Sequence, residues 1–187
     1  MNDETVTARL LLHRPVEDDV DAIFAISSDP RVWTHFPSLR HTDRSTTETM
    51  VLRWIAGWDA VGTGTWVVRL RTTGEVIGNG GCALIGEPGG AGTVWNLGYR
   101  LAAAHHGKGY ATELSAAAIA AARAVHPEVP VTAYLVAHNR ASAAVAEKAG
   151  LDLVMTTPDA DNPDPGVMRL VYADRPLTDA QRERLRR

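Results

Sequence analysis

Residues 106–112 read His106-Gly107-Lys108-Gly109-Tyr110-Ala111-Thr112, two glycines around a lysine just ahead of an Ala-rich run. Glycine lets a backbone turn tightly and bring its N–H groups against a ligand. A helix starting at Gly109 adds free N–H groups and a partial positive charge. Such a start suits a pyrophosphate, with Lys108 and the Thr112 hydroxyl placed to add contacts. A P-loop would need Ser or Thr after Gly-Lys, and here Gly109 follows Lys108. A dinucleotide fingerprint needs three glycines in another spacing within an early βαβ unit. A plain glycine turn into a helix is the competing reading.

Other reactive side chains carry less. His105 and His106 are adjacent, so in an extended stretch they point opposite ways, and no Cys/His cluster accompanies them; no metal is expected. Cys82 is the only cysteine, in a strand-like run where a packed thiol is the expectation. One cysteine cannot form an intrachain disulfide, which fits a reducing compartment.

These residues need a framework. The 187 residues suit a single domain over 1–187, with 45% hydrophobic and 22% charged residues and a net charge of −3. That balance argues against nucleic acid or an anionic membrane as partner. The residues ahead of position 8 have no signal-peptide core, and no run approaches the roughly 20 apolar residues of a membrane span. A cytoplasmic protein is expected. Arg182, Arg184, Arg186 and Arg187 read as a solvated helix end.

Strands are expected over residues 9–14, 65–70, 76–84, 93–101, 131–137, 151–156 and 167–173. Helices are expected over residues 17–28, 45–58, 109–125 and 140–149, the last ended by Gly150. The order predicts a mixed α/β sheet of about seven strands and four helices. Residues 157–166, rich in Pro and Asp, should be exposed and mobile.

The cradle, with His106, Gly109 and Ala111 at its key positions, resembles the central motif of the GNAT superfamily of N-acetyltransferases. His106 departs from the usual Arg or Gln. The string 107–113 is similar to the RimJ/RimL-like branch that acetylates ribosomal-protein N-termini. Downstream, Asn139, Ser142, Val145, Glu147, Lys148 and Gly150 resemble that branch's second signature, and the element order agrees over about residues 9–173. The resemblance implies a single-domain fold with two splayed parallel strands, here ending near Leu101 and Ala137, that form an acyl-CoA cleft. Acetyl-CoA would rest its pyrophosphate on the backbone of residues 107–112 and its pantetheine along Tyr99–Leu101, with Asn139 at the pantetheine end. A backbone N–H on that edge would polarise the thioester carbonyl.

A neutral amine would attack the thioester directly. Ser142 matches a position that can protonate the leaving sulfur in this branch, or it is merely a helix-start residue. The tyrosine of other branches falls at Ala146. Related enzymes often carry Glu near Trp95-Asn96-Leu97, and Asn96 cannot take a proton from an ammonium. His35, His105, His138 and Glu87 are the substitutes, each with a surface role as the alternative; Glu113 is expected to face away from the acceptor. A weak base favours an α-amine, about 14% neutral at pH 7, over a lysine, about 0.04% neutral. Residues 33–37 and 157–166 should border the amine pocket, with Asp159, Asp161 and Asp164 either steering a cation or forming a solvated turn, and Trp33 and Phe36 packed. The acceptor is a small amine or protein N-terminus, and a homodimer is compatible. A non-catalytic acyl-CoA sensing module is the main alternative, and a nucleotide-binding protein the third.

Overall fold

Thr65–Leu70 and Val76–Ile85 form a hairpin because Gly74 supplies the positive φ of 72° that its turn requires. A computed structural model describes residues 4–186, and these two strands are β3 and β4 of its sheet. The other strands are β1 (Glu4–Val6), β2 (Leu10–His13), β5 (Val94–Leu101), β6 (Val131–Val136), β7 (Asp152–Pro158) and β8 (Met168–Ala173). They lie in the order β1-β2-β3-β4-β5-β6-β8-β7, antiparallel throughout except for parallel β5 and β6. Gly81 in β4 has no room for a side chain, since a Cβ there would fall 2.1 Å from the Gly64 carbonyl oxygen.

The helices cover both faces: α1 (Val20–Ser27), α2 (Arg44–Val61), α3 (Tyr110–Val125), α4 (Arg140–Lys148) and α5 (Asp179–Arg186). Alternation along β3 sends Val67 to Val20, Ile23 and Val51 of α1 and α2. It sends Trp66 and Val68 into the main core, with Leu10, Leu12, Trp95, Leu114 and Ile119. Asp43 caps α2, accepting from the Ser45 N–H, and Gly62 ends it at a φ of 82°. Among the described residues no helix is long and apolar enough to cross a membrane.

The structure differs from the sequence reading in four places. Strand β1 adds an eighth strand, three residues too short and polar to show a pattern. The first helix begins as a 3₁₀ turn, Glu17–Asp19, in which buried Asp19 accepts from the Val16 N–H and pairs with His13 and Arg69. The arginine-rich tail is a docked fifth helix whose Leu185 is buried with Val94, Val171 and Leu177; Arg187 lies outside the described residues. Residues 157–166 are mostly exposed as expected, but their start is tied to the interior, where buried Asp159 pairs with buried Arg169 at 2.6 Å.

Candidate active site

Strands β5 and β6 pair only at Trp95↔Val131 and Asn96↔Thr132. The closed end is stitched by the Trp95 N–H to the Pro130 carbonyl, 2.9 Å, and the Thr132 hydroxyl to the Trp95 carbonyl, 2.8 Å. Beyond Asn96 the strands part. Because Trp95 directs its backbone groups at β6, strand periodicity turns those of Leu97, Tyr99 and Leu101 the same way, into the gap. Side chains alternate as well: Asn96, Gly98 and Arg100 project on the face carrying α1 and α2, and Leu97, Tyr99 and Leu101 on the α3 face.

On one side the gap opens into a cavity of about 380 Å³ bounded by the start of α3. Tyr99, Leu101, His106, Gly107, Gly109, Tyr110, Ala111, Thr112, Asn139 and Ser142 line it. Gly107 and Gly109 take positive φ angles of 73° and 80°, and Gly109 caps α3 without a side-chain bond. The first N–H groups of α3 therefore have no partner within the helix, which makes an anion site. His106 bonds the Leu101 carbonyl through Nε2 at 2.8 Å and so ties the end of β5 to the cradle. Lys108 is exposed beside this lining, and its carbonyl accepts from Arg9 Nη1. Arg9 also pairs with Glu113 at 2.7 Å, which places that carboxylate on the outer side of α3.

At the junction Asn139 caps α4, its Oδ1 accepting from the Ser142 N–H at 3.1 Å. The helix-start duty thus falls to Asn139. Ser142 Oγ instead accepts from the Tyr99 hydroxyl at 3.3 Å, while burial raises the Tyr99 pKa. The Tyr99 hydroxyl escaped the sequence reading, which used only its backbone. The signal that would have found it is the odd-numbered alternation of β5, which aims Tyr99 at α4.

The other face holds a cavity of about 550 Å³, lined in part by His35, Phe36, Leu39, Asn96, Gly98, Arg100, Tyr134, Asp159, Asp161 and Arg169. Gly98 is its open floor, for a Cβ there would meet nothing within 4 Å. Asn96 Oδ1 is buried without a partner. Burial, then the positive Arg100, lowers the His35 pKa, so its ring is neutral at pH 7. Burial alone brings Arg100 down to about 10.

The remaining candidates are engaged elsewhere. His138 Nε2 donates to the His35 carbonyl at 3.0 Å, and buried His105 meets Glu75 at 3.2 Å. Ala103–His105 is a 3₁₀ turn, not an extended stretch, and the described residues hold no group of three or more metal-ligating side chains. The Glu87 carbonyl accepts from Gly90 in a turn away from both cavities. Asp159 and Asp161 both pair with Arg169, so neither is a free cation-steering charge. Trp33 is buried, its indole donating to the Ser27 carbonyl at 2.6 Å; Phe36 is half-buried and lines the cavity. Burial pushes the Cys82 thiol up to about 12, which keeps it protonated and inert.

A sheet parted between parallel strands, with an N-terminal helix cradle at the gap, defines an acyltransferase of the GNAT class. The family model described as "Acetyltransferase (GNAT) domain" matches residues 9–152, and the chain belongs to this family. It is 30% identical over 159 residues to the uncharacterized protein YkkB of Bacillus subtilis, covering 81% of this chain and 87% of that one. A GnaT-family acetyltransferase from Bordetella pertussis superposes with a TM-score of 0.76 at 20% identity, covering 93% of this chain and all of that one. RimL, a ribosomal L7/L12 alpha-N-protein acetyltransferase solved with coenzyme A, gives 0.72 at 20% identity, covering 94% and 98%.

Proposed function

We propose that this protein transfers an acetyl group from acetyl-CoA to a low-pKa amine held over Gly98. The observation that carries the reading is the parting of β5 from β6 beyond Asn96, with a phosphate-type cradle on one side and an open-floored pocket on the other. The pyrophosphate rests on the N–H groups at the start of α3. The pantetheine amides pair with the free edge at Tyr99 and Leu101, taking the place of the missing strand. Gly107→Val should therefore weaken coenzyme A binding by about tenfold or more. A Cβ at Gly107 meets no protein atom within 4 Å, but a β-branched residue resists the φ of 73° and would turn the cradle's N–H groups away; titration calorimetry with coenzyme A checks this.

The Tyr99 N–H polarises the thioester carbonyl. Asn96 Oδ1, which lacks a protein partner, accepts an N–H of the neutral amine and orients its lone pair. Attack forms the C–N bond, the tetrahedral intermediate releases its proton to neutral His35 or water, and the C–S bond breaks. Ser142 protonates the thiolate and recovers a proton from the Tyr99 hydroxyl, which already points at it and is reprotonated from water as the coenzyme leaves.

The test adds acetyl-CoA to the enzyme with matched peptide α-amines, lysine peptides and small amines, following thiol release against a control without amine. Amine-dependent release with α-amines leading is expected, and Ser142→Ala should lower kcat by about 100-fold. A clear lysine preference would refute the weak-base account. Tight coenzyme A binding without any transfer would instead favour a sensing module.

A further inference from the structure

The transfer chemistry gives Arg100 no task. Its guanidinium lies 3.3 Å from the centre of the Trp33 ring, and Nη1 reaches the Val32 carbonyl only at 3.4 Å. Among the described residues it forms no ion pair. The titratable rings facing it, His35 and His41, have pKa values lowered by burial and by Arg100 itself, so they offer no negative charge. The nearest acid group in the cavity, Asp159 with Asp161, is spent on Arg169. A guanidinium seated over an indole keeps its N–H edge for a planar or tetrahedral oxyanion, and Arg100 lines both cavities. A half-buried cation without a counter-ion is costly, which makes a ligand its natural complement.

The placement sets a ruler. Arg100 is two residues beyond Gly98 on the same face of β5, about 7 Å along the strand. An amine poised over Gly98 thus has an oxyanion on its own carbon skeleton within reach of the guanidinium. We propose that the acceptor is a small amine that also carries a carboxylate, gripped by Arg100. This inference rests on the acetyl-transfer reading above.

The experiment measures kcat/KM for a panel of amino acids, each beside its carboxamide and its decarboxylated amine, with phosphoethanolamine as a separate arm. The amino acid should lead its carboxamide by about 30-fold or more. Arg100→Met should bring the amino acid down to the carboxamide's level, and Arg100→Lys, charged but without the fork, should restore part of the preference. Coenzyme A affinity should stay within about threefold in both. The thermal midpoint of Arg100→Met should hold or rise, because a half-buried charge without a counter-ion is removed.

Equal rates for acid and amide in the native enzyme would overturn the proposal. So would a fall in coenzyme A affinity and thermal midpoint that lowers every acceptor alike. Preference for phosphoethanolamine would keep Arg100 as an oxyanion receptor and overturn the carboxylate. If no amine is acetylated at all, the N-acetylated amino acids and their amides are titrated onto coenzyme A-saturated enzyme. Carboxylate-dependent binding lost in Arg100→Met would then sustain the site while the transfer reading fails, and its absence would end both.

Discussion

Gly98→Leu is expected to cut kcat/KM for the acceptor by at least about 100-fold while coenzyme A binds with unchanged affinity. The substitution costs the fold little, because a Cβ at this position meets open space and the backbone carries no positive φ. The isobutyl group would stand between Asn96 and Arg100, where the attacking nitrogen must come within about 3–3.5 Å of the thioester carbon. Displacements of about 1 Å from such geometry cost rates of the order of 10². Steady-state kinetics beside calorimetry with coenzyme A separate the two effects. Activity within about threefold of the native enzyme would mean that the acceptor does not approach over Gly98.

Arg169→Met should destabilise the fold by about 3–5 kcal/mol, because it strands the Asp159 carboxylate in the interior. Side-chain exposure is 5% for Arg169 and 4% for Asp159, and two of the guanidinium nitrogens reach the same carboxylate oxygen at 3.2 and 2.6 Å. For a chain of this size each kcal/mol moves the thermal midpoint by about 2–4 °C, so a drop of about 10 °C is expected by calorimetric melting. Transfer should fall as well, since Arg169, Asp159 and Asp161 wall the acceptor cavity. Arg169→Met combined with Asp159→Leu should recover most of the stability, an apolar pair of similar volume replacing a buried ionic one. A double variant as unstable as the single one would show that the stranded charge is not the cause.

Much of the framework was legible in the sequence because its signals are local. The runs around β5 and β6 are apolar and bounded by turn residues, and Gly107 and Gly109 mark the entry to α3 on their own. What escaped depends on partners far along the chain. Asp159 sits in a Pro- and Asp-rich segment that reads as a solvated loop, and only Arg169, ten residues on across a hairpin, makes it part of the interior. Helix α5 is polar nearly all round, so its one buried leucine gave no periodicity. The Tyr99 hydroxyl was missed because its role rests on Ser142, 43 residues away. Lys108, a residue type suited to phosphate in the right string, is exposed, and the turn sets its carbonyl against Arg9.

The seam between β5 and β6 is two residue pairs long; Tyr99–Ser142 and His138–His35 span its open end, while strong ties cluster at the closed one. Gln181 of α5 donates to the Thr93 carbonyl at 3.1 Å there, and Asp174, just after β8, holds the Val131 N–H and pairs with Arg123 of α3. The molecule is therefore built like a spring clip, pivoted at the bottom and lightly latched at the jaws. On the acetyl-transfer reading, a pantetheine arm between the jaws would supply the rungs that the protein omits, so the cofactor would be mortar as well as reagent. Stiffness of the β6–β8–β7 plate would then rise and fall with each turnover, highest with the thioester in place and lowest after the spent coenzyme leaves.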